Sequence, residues 1–177
     1  MIIDETERLI IKEIEPADYE QAAFFFGKIN TENALAAKDT VYDRSFAEEY
    51  CRYAYGFYGY GYYGIYLKSG EIIGLAGFRE GSCPLEIGFI VDEQYRRKGY
   101  AAEAVKSLTE WAYEDFGWVV HEEKTVPAEE ITLKHPDKIT FVRLMENAVL
   151  VYALTDKENY SAVAVLEKNG YTYGKGK

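Results

Sequence analysis

Apolar and polar residues alternate around Leu9 and Ile11, the period of a half-buried strand. Pro16 then stands where a first helical turn tolerates it, and Ala17 to Phe26 repeats at helical spacing. Asn30 to Tyr42 is polar and weakly patterned, a loop with a helical turn. Ser45-Phe46-Ala47-Glu48 has the spacing of a capping box and predicts a helix from there to about Tyr55. Strand-like runs at Tyr62–Lys68 and Glu71–Arg79 flank a Ser69-Gly70 turn, and a further turn at Gly81 to Pro84 leads into the apolar run Leu85 to Val91. Ala101, Val105, Leu108, Ala112 and Phe116 then recur at helical spacing and predict a helix packed on the sheet. Strands joined by hairpins and followed by a helical crossover give an α/β (α+β) fold. Its sheet is mixed, mostly antiparallel and twisted, with helices on both faces.

Beyond that helix the pattern loosens. About thirty residues, 119–147, separate it from the next apolar run, far more than an ordinary connection. Within them Ile139 to Met145 reads as an added strand that could turn at Glu146-Asn147 and pair with Ala148 to Leu154. His121 and His135 lie there among acids at no metal-ligand spacing, so no metal is expected. Gly170 suits the left-handed stop of a last helix.

The chain has 177 residues, enough for one domain with a two-layer core, and its 48% hydrophobic and 28% charged content is that of a soluble globular protein. A net charge of -10 argues against a nucleic-acid partner, because phosphate neutralisation needs surplus Lys and Arg. The acidity is compatible with a cationic ligand and equally with solubility alone. No run approaches the roughly 18 apolar residues of a membrane helix, and the acidic start lacks the cations of a signal peptide. With no membrane partner and Cys51 and Cys83 forming no framework, reduced thiols in a cytoplasm are expected.

Chemistry concentrates where the Leu85–Val91 strand hands over to the long helix. Arg96, Arg97 and Lys98 precede Gly99, Tyr100 and Ala101. A helix start supplies unpaired N–H groups and the positive end of the dipole; Gly99 lets a ligand approach the main chain, and the cations add charge. This is a polyphosphate-type anion site. Tyr100 after Gly99 rules out a Walker loop, and one glycine rules out a dinucleotide fingerprint.

Arg96, Gly99 and Ala101 fill the fixed positions of Gln/Arg-x-x-Gly-x-Gly/Ala, and the segment resembles the acetyl-CoA loop of the GNAT N-acetyltransferases. The likeness includes the strand Glu86-Ile87-Gly88-Phe89 before it and the helix after it. A second block, Val149 to Tyr173, resembles that family's Asn-x-x-Ser-x-x-Val-Leu-Glu-Lys-x-Gly-Phe pattern through Asn159 and Glu167-Lys168-Asn169-Gly170-Tyr171. It is most similar to the branch that acetylates ribosomal-protein N-termini. The resemblance implies an acyl-CoA N-acyltransferase-like fold in a single N-acetyltransferase domain, 1–177, with an atypical insertion at about 119–147. It also implies acetyl-CoA as co-substrate and an amine-bearing small molecule or peptide as acceptor. The alternative is a catalytically weak acyl-CoA-binding regulatory module.

On that resemblance Phe89, Ile90 and Val91 would hold the pantetheine arm, and Arg96, Arg97, Lys98, Gly99, Tyr100, Ala101 and Asn159 would serve the coenzyme. An alkyl amine with a pKa near 10.4 costs roughly 4–5 kcal/mol to deprotonate at neutral pH, so a base is needed. Glu86 is the first candidate, against the plainer reading of a salt-bridged strand residue. The position where relatives carry a Tyr acid is Leu166, and the branch's Ser position is Ala162, which leaves Ser161 and Tyr160 as substitutes or an unassisted thiolate. Tyr53 to Tyr66 alternates Tyr with Gly; ring packing in a helix end and strand accounts for it, and an aromatic wall beside the acceptor is the functional alternative. Relatives generally continue past the Gly170-Tyr171 corner into another strand. Either Ile139–Met145 fills that place or an open edge suits a homodimer.

Overall fold

A computed structural model describes residues 1–33, 39–80, 82, 84–122, 130–131, 134, 137–145 and 148–174. Gly81, Cys83, His135 and the 146–147 turn fall outside these residues, as do the side chains of Phe116 and His121. The strands are β1 (Ile2–Glu5), β2 (Leu9–Lys12), β3 (Tyr62–Leu67), β4 (Ile72–Phe78), β5 (Leu85–Val91), β6 (Ile139–Met145), β7 (Ala148–Thr155) and β8 (Thr172–Tyr173). The helices are α1 (Tyr19–Asn33), α2 (Arg44–Tyr53), α3 (Tyr100–Glu122) and α4 (Tyr160–Lys168). The sheet runs β1-β2-β3-β4-β5-β7-β6-β8, antiparallel throughout except for the parallel pair β5–β7.

Side-chain alternation sends each strand's residues to two cores. Leu9, Ile11, Ile65, Ile73, Ile87 and Val91 meet Val105, Leu108 and Ala112 of α3 on one face. Tyr66, Leu75 and Ile90 meet Phe25, Phe26, Ile29 and Ala47 of α1 and α2 on the other. Both faces of β4 are therefore buried along its whole length.

Local details depart from the sequence reading in several places. A 3-10 turn at Pro16–Asp18 precedes α1, which begins at Tyr19 and runs on to Asn33. The cap of α2 is Asp43, whose carboxylate accepts from the Phe46 N–H at 2.9 Å, and Ser45 lies inside the helix. Asp competes well with Ser at this position, so the box spacing located the helix but chose the wrong cap. α2 ends in a π-helical turn, Ala54–Tyr58, closed by Gly59 at φ +75. The short strand β1 was not foreseen; its burial is incomplete and its alternation too brief to read.

β6 pairs antiparallel with both β7 and β8; contrary to the expectation of a missing terminal strand, the chain continues past the Gly170-Tyr171 corner into the short strand β8. Gly170 adopts φ +74, with the Tyr171 N–H reaching back to the Leu166 carbonyl at 3.0 Å, the left-handed stop expected there.

Candidate active site

Two consecutive pairs join β5 to β7, Leu85 with Val151 and Glu86 with Tyr152. β5 continues through Val91, paired on its other side to β4 as far as Gly74 with Val91. The strands thus part after Glu86, and the far half of β5 turns one backbone edge to a cleft of about 1040 Å³. Phe89, Ile90 and Val91 line it. At its mouth stand the N-termini of α3 (Gly99 to Ala102) and of α4 (Asn159, Ser161, Ala162).

The loop entering α3 is shaped by backbone conformation. Arg97 at φ 61 and Gly99 at φ 82 are both left-handed, and the first helical bond runs from the Glu103 N–H to the Gly99 carbonyl at 3.0 Å. The amides preceding Glu103 have no intrahelical acceptor, as at any helix start. Arg96 Nε donates to the Val91 carbonyl at 2.9 Å, tying the loop to the end of β5. From behind, Arg8 Nη1 donates to the Lys98 carbonyl at 2.7 Å while its Nε donates to Glu103 at 2.7 Å. The guanidinium also covers the Tyr100 ring at 4.6 Å. Burial opposes ionisation of Glu103, but bonds from Thr6 and Arg8 outweigh it and hold the carboxyl below its ordinary value.

Sequence gave no sign of Arg8 or Glu103. Their contact spans the gap between the β1–β2 turn and α3, and no short motif encodes it.

Of the residues expected to serve a coenzyme, Phe89, Ile90, Val91, Arg96, Arg97, Gly99, Tyr100, Ala101 and Asn159 all line this cleft. Lys98 does not; its carbonyl is taken by Arg8 and its ammonium sits 5.4 Å from the Tyr95 ring centre. Asn159 caps α4, its Oδ1 accepting from the Ala162 N–H at 3.2 Å. The fit to a nucleotide thioester is direct: open strand edge, converging helix starts, and Ala101 and Ala102 keeping the first turn of α3 free of bulk.

Glu86 lies on the sheet face that carries Ile90, opposite α3, and is 8% exposed. Its Oε2 accepts from the Tyr152 hydroxyl at 3.0 Å and from Arg79 Nη1 at 3.4 Å, and its N–H donates to Ser82 Oγ at 2.9 Å. Next along that face, a Cβ at Gly88 would collide with the Tyr62 hydroxyl, so Gly88 is the notch that admits this phenol. Burial, and then the charge of Glu86, raise the Tyr62 and Tyr152 phenols well above their ordinary value, so both stay protonated and able to donate. Tyr62 in turn donates its N–H to Tyr50 Oη at 2.9 Å. The plain reading of Glu86 as a salt-bridged strand residue is what this cluster shows, with Arg79 and Tyr152 as its partners.

Ser161 lines the cleft, whereas Tyr160 is 76% exposed and outside it, so the structure brings only the former to the cleft. Leu166 is core, 1% exposed. Among the described residues no group of three or more His, Cys, Asp or Glu is placed to hold a metal. Among them also, no helix is long and apolar enough to cross a membrane.

The family described as "Acetyltransferase (GNAT) domain" matches residues 8–172. The chain belongs to that family. As a GNAT acetyltransferase it uses acetyl-CoA as co-substrate. No curated protein sequence matches it. Solved structures share its fold. An acetyltransferase from Agrobacterium tumefaciens str. C58 is 24% identical over 94% of this chain and 81% of that one, TM-score 0.61. A putative ribosomal-protein-serine acetyltransferase from Vibrio cholerae is 15% identical over 96% and 84%, TM-score 0.58. RimL, a ribosomal L7/L12 alpha-N-protein acetyltransferase solved with coenzyme A, is 15% identical over 96% and 82%, TM-score 0.59.

Proposed function

We propose that this GNAT enzyme acetylates a primary amine, the coenzyme lying in the β5–β7 cleft and the acceptor on the Glu86 face. The observation that carries the reading is the parting of β5 from β7 after Glu86. It opens the strand from the cleft side and leaves the buried carboxylate at the apex. The amides at the start of α3, with Arg96 and Arg97, would take the diphosphate. A free amide of the Phe89–Val91 edge would polarise the carbonyl at the foot of the cleft. Acetyl-CoA supplies the activated acetyl thioester.

Glu86 would accept the proton that an ammonium must lose before its nitrogen can attack. Tyr152 and Arg79 hold that carboxylate in place from β7 and from the loop after β4. Ser161, at the cleft wall, is the remaining donor for the departing sulfur; a thiol pKa near about 8.5 makes weak assistance sufficient. A peptide N-terminus and a small-molecule amine both meet these demands. A reducing cytoplasm suits Cys51, a buried thiol pushed up to about 12 by loss of water.

Thiol release from acetyl-CoA, measured across a panel of primary amines, tests the reading. Release that depends on the amine is expected, with Arg96→Ala raising the KM for acetyl-CoA; no release with any amine would overturn it.

A further inference from the structure

Three side chains of the β1–β2 hairpin grip the first two turns of α3. Asp4 accepts from Ser107 Oγ at 2.7 Å, Thr6 Oγ1 donates to Glu103 at 2.6 Å, and Arg8 Nε donates to Glu103 at 2.7 Å. Positions 99, 103 and 107 are each four residues apart and so share one face of the helix. None of Asp4, Thr6, Arg8, Lys98, Glu103 and Ser107 lines the cleft, whereas Gly99 to Ala102 do.

One of the hairpin's contacts reaches main chain. Arg8 Nη1 donates to the Lys98 carbonyl at 2.7 Å. That carbonyl and the Gly99 N–H belong to one peptide plane, and in a trans peptide they point in opposite directions. Holding the carbonyl toward the hairpin therefore turns the Gly99 N–H to the other side, where the cleft lies. The loop does not keep this shape at no cost. Arg97, just before Lys98, is the one non-glycine with a positive φ among the described residues, at 61°. Arg96 pins one end of the loop through the Val91 carbonyl at 2.9 Å, and Arg8 pins the other.

The Arg8 guanidinium is spent on the protein. Its Nε and Nη2 lie 2.7 and 2.6 Å from Glu103 Oε2, its Nη1 is on Lys98, and its face covers the Tyr100 ring. A carboxylate already answers its charge. We infer that Arg8 is a positioning residue for the coenzyme: anchored by Glu103, it fixes the Lys98–Gly99 peptide so that the Gly99 amide faces the diphosphate. This rests on the reading above, in which the start of α3 takes the diphosphate, and deepens it.

Isothermal titration with CoA tests it, with Arg8→Ala, Gly99→Val and Ser107→Ala beside the native chain. Arg8→Ala should bind CoA about tenfold more weakly, the worth of one hydrogen bond from a charged group. Ser107→Ala frees the same hairpin from the same helix one turn further on; its Tm should fall and its affinity should not. The ratio of native to Arg8→Ala affinity should be equal at low and high salt, because the guanidinium is already neutralised. In thiol release with an amine that reacts, the KM for acetyl-CoA should rise by the same factor while kcat at saturation is unaltered. Native affinity in Arg8→Ala, an equal loss in Ser107→Ala, or a loss confined to kcat would overturn the inference. A ratio that collapses at high salt would also overturn it, by making Arg8 a direct phosphate partner. Should Arg8→Ala fail to fold, Glu103→Gln loosens the same anchor with its shape kept, and native affinity there would overturn the inference equally. Weakened binding in Gly99→Val with native affinity in Arg8→Ala removes the positioning role alone. Native affinity in both removes the diphosphate from the start of α3 as well.

Discussion

The two sides of β5 are built from different materials. Toward the cleft, the protein offers main chain: the free edge of Phe89–Val91, the amides after left-handed Arg97 and Gly99, and alanines that keep clear of them. Toward α1 and α2 it offers side chains: Glu86 held by Tyr152 and Arg79, and Tyr62 seated on Gly88. On the proposed reading, the backbone side would recognise what every coenzyme molecule shares, and the side-chain cluster what differs between acceptors. The first can be kept by a short motif; the second must be assembled from strands far apart in sequence.

Removing the charge of Glu86 should break the comparison most visibly. Glu86→Gln keeps the shape and can still accept from Tyr152, but it cannot take a proton. If the carboxylate is the base, kcat falls about 10²- to 10⁴-fold while the Kd for CoA is unaltered. Equal loss in both quantities would mean that the two sides of β5 are not separable.

The converse substitution is Gly99→Val. A β-branched residue at φ 82 costs about 1–3 kcal/mol, so CoA should bind roughly 10- to 100-fold more weakly by titration. At saturating acetyl-CoA the turnover should recover. The limitation is conformational, since the nearest neighbour to a Cβ there is Arg8 Nη2 at 3.3 Å, the end of a flexible side chain.

Tyr152→Phe sharpens the contrast on the Glu86 face. It deletes a hydrogen bond to a charged group, worth about 1.5–3 kcal/mol where the charge is buried. We expect roughly a tenfold fall in kcat with a pH–rate profile displaced from that of the native enzyme. A purely structural tyrosine would lower Tm and leave the profile where it was.

This division also explains what could be read before the fold was known. Arg96 and Gly99 were legible as a cationic, glycine-bearing helix start, and Arg96, Gly99, Ala101 and Asn159 together through their resemblance to the family's two sequence blocks. Glu86 was legible only as one carboxylate on a strand. Its partners Tyr152, Arg79 and Tyr62 depend on the registers of β7, β4 and β3, which no local pattern specifies. Arg8 and Glu103 were hidden for the same reason. Periodicity found the long strands and helices, and failed for β1 and for the cap of α2, where a few residues must decide. The pairing of β6 was foreseen because two apolar runs flank Glu146-Asn147 in sequence.

Asn159→Ala probes a residue that both caps α4 and lines the cleft. Loss of the α4 cap should cost about 0.5–2 kcal/mol of stability, read as a Tm lower by a few degrees. The Kd for CoA should rise only modestly, because the amides of α4 remain. A large loss of affinity with unchanged Tm would instead make the Asn159 side chain itself a ligand contact.

The smallest effect expected comes from Glu80, and it carries a sign. Its carboxyl is raised to about 7 in the folded protein, while in the unfolded chain it returns to its ordinary range. The folded state therefore holds the proton more tightly, and stability falls as pH rises from about 4.5 through about 7. The full shift corresponds to about 3 kcal/mol, which partial exposure and screening reduce to about 1 kcal/mol. Glu80→Gln lacks this proton, so its Tm should gain on the native chain across that window and run parallel to it outside. Parallel curves throughout would show a Glu80 carboxylate solvated in solution, with no proton held by the folded state.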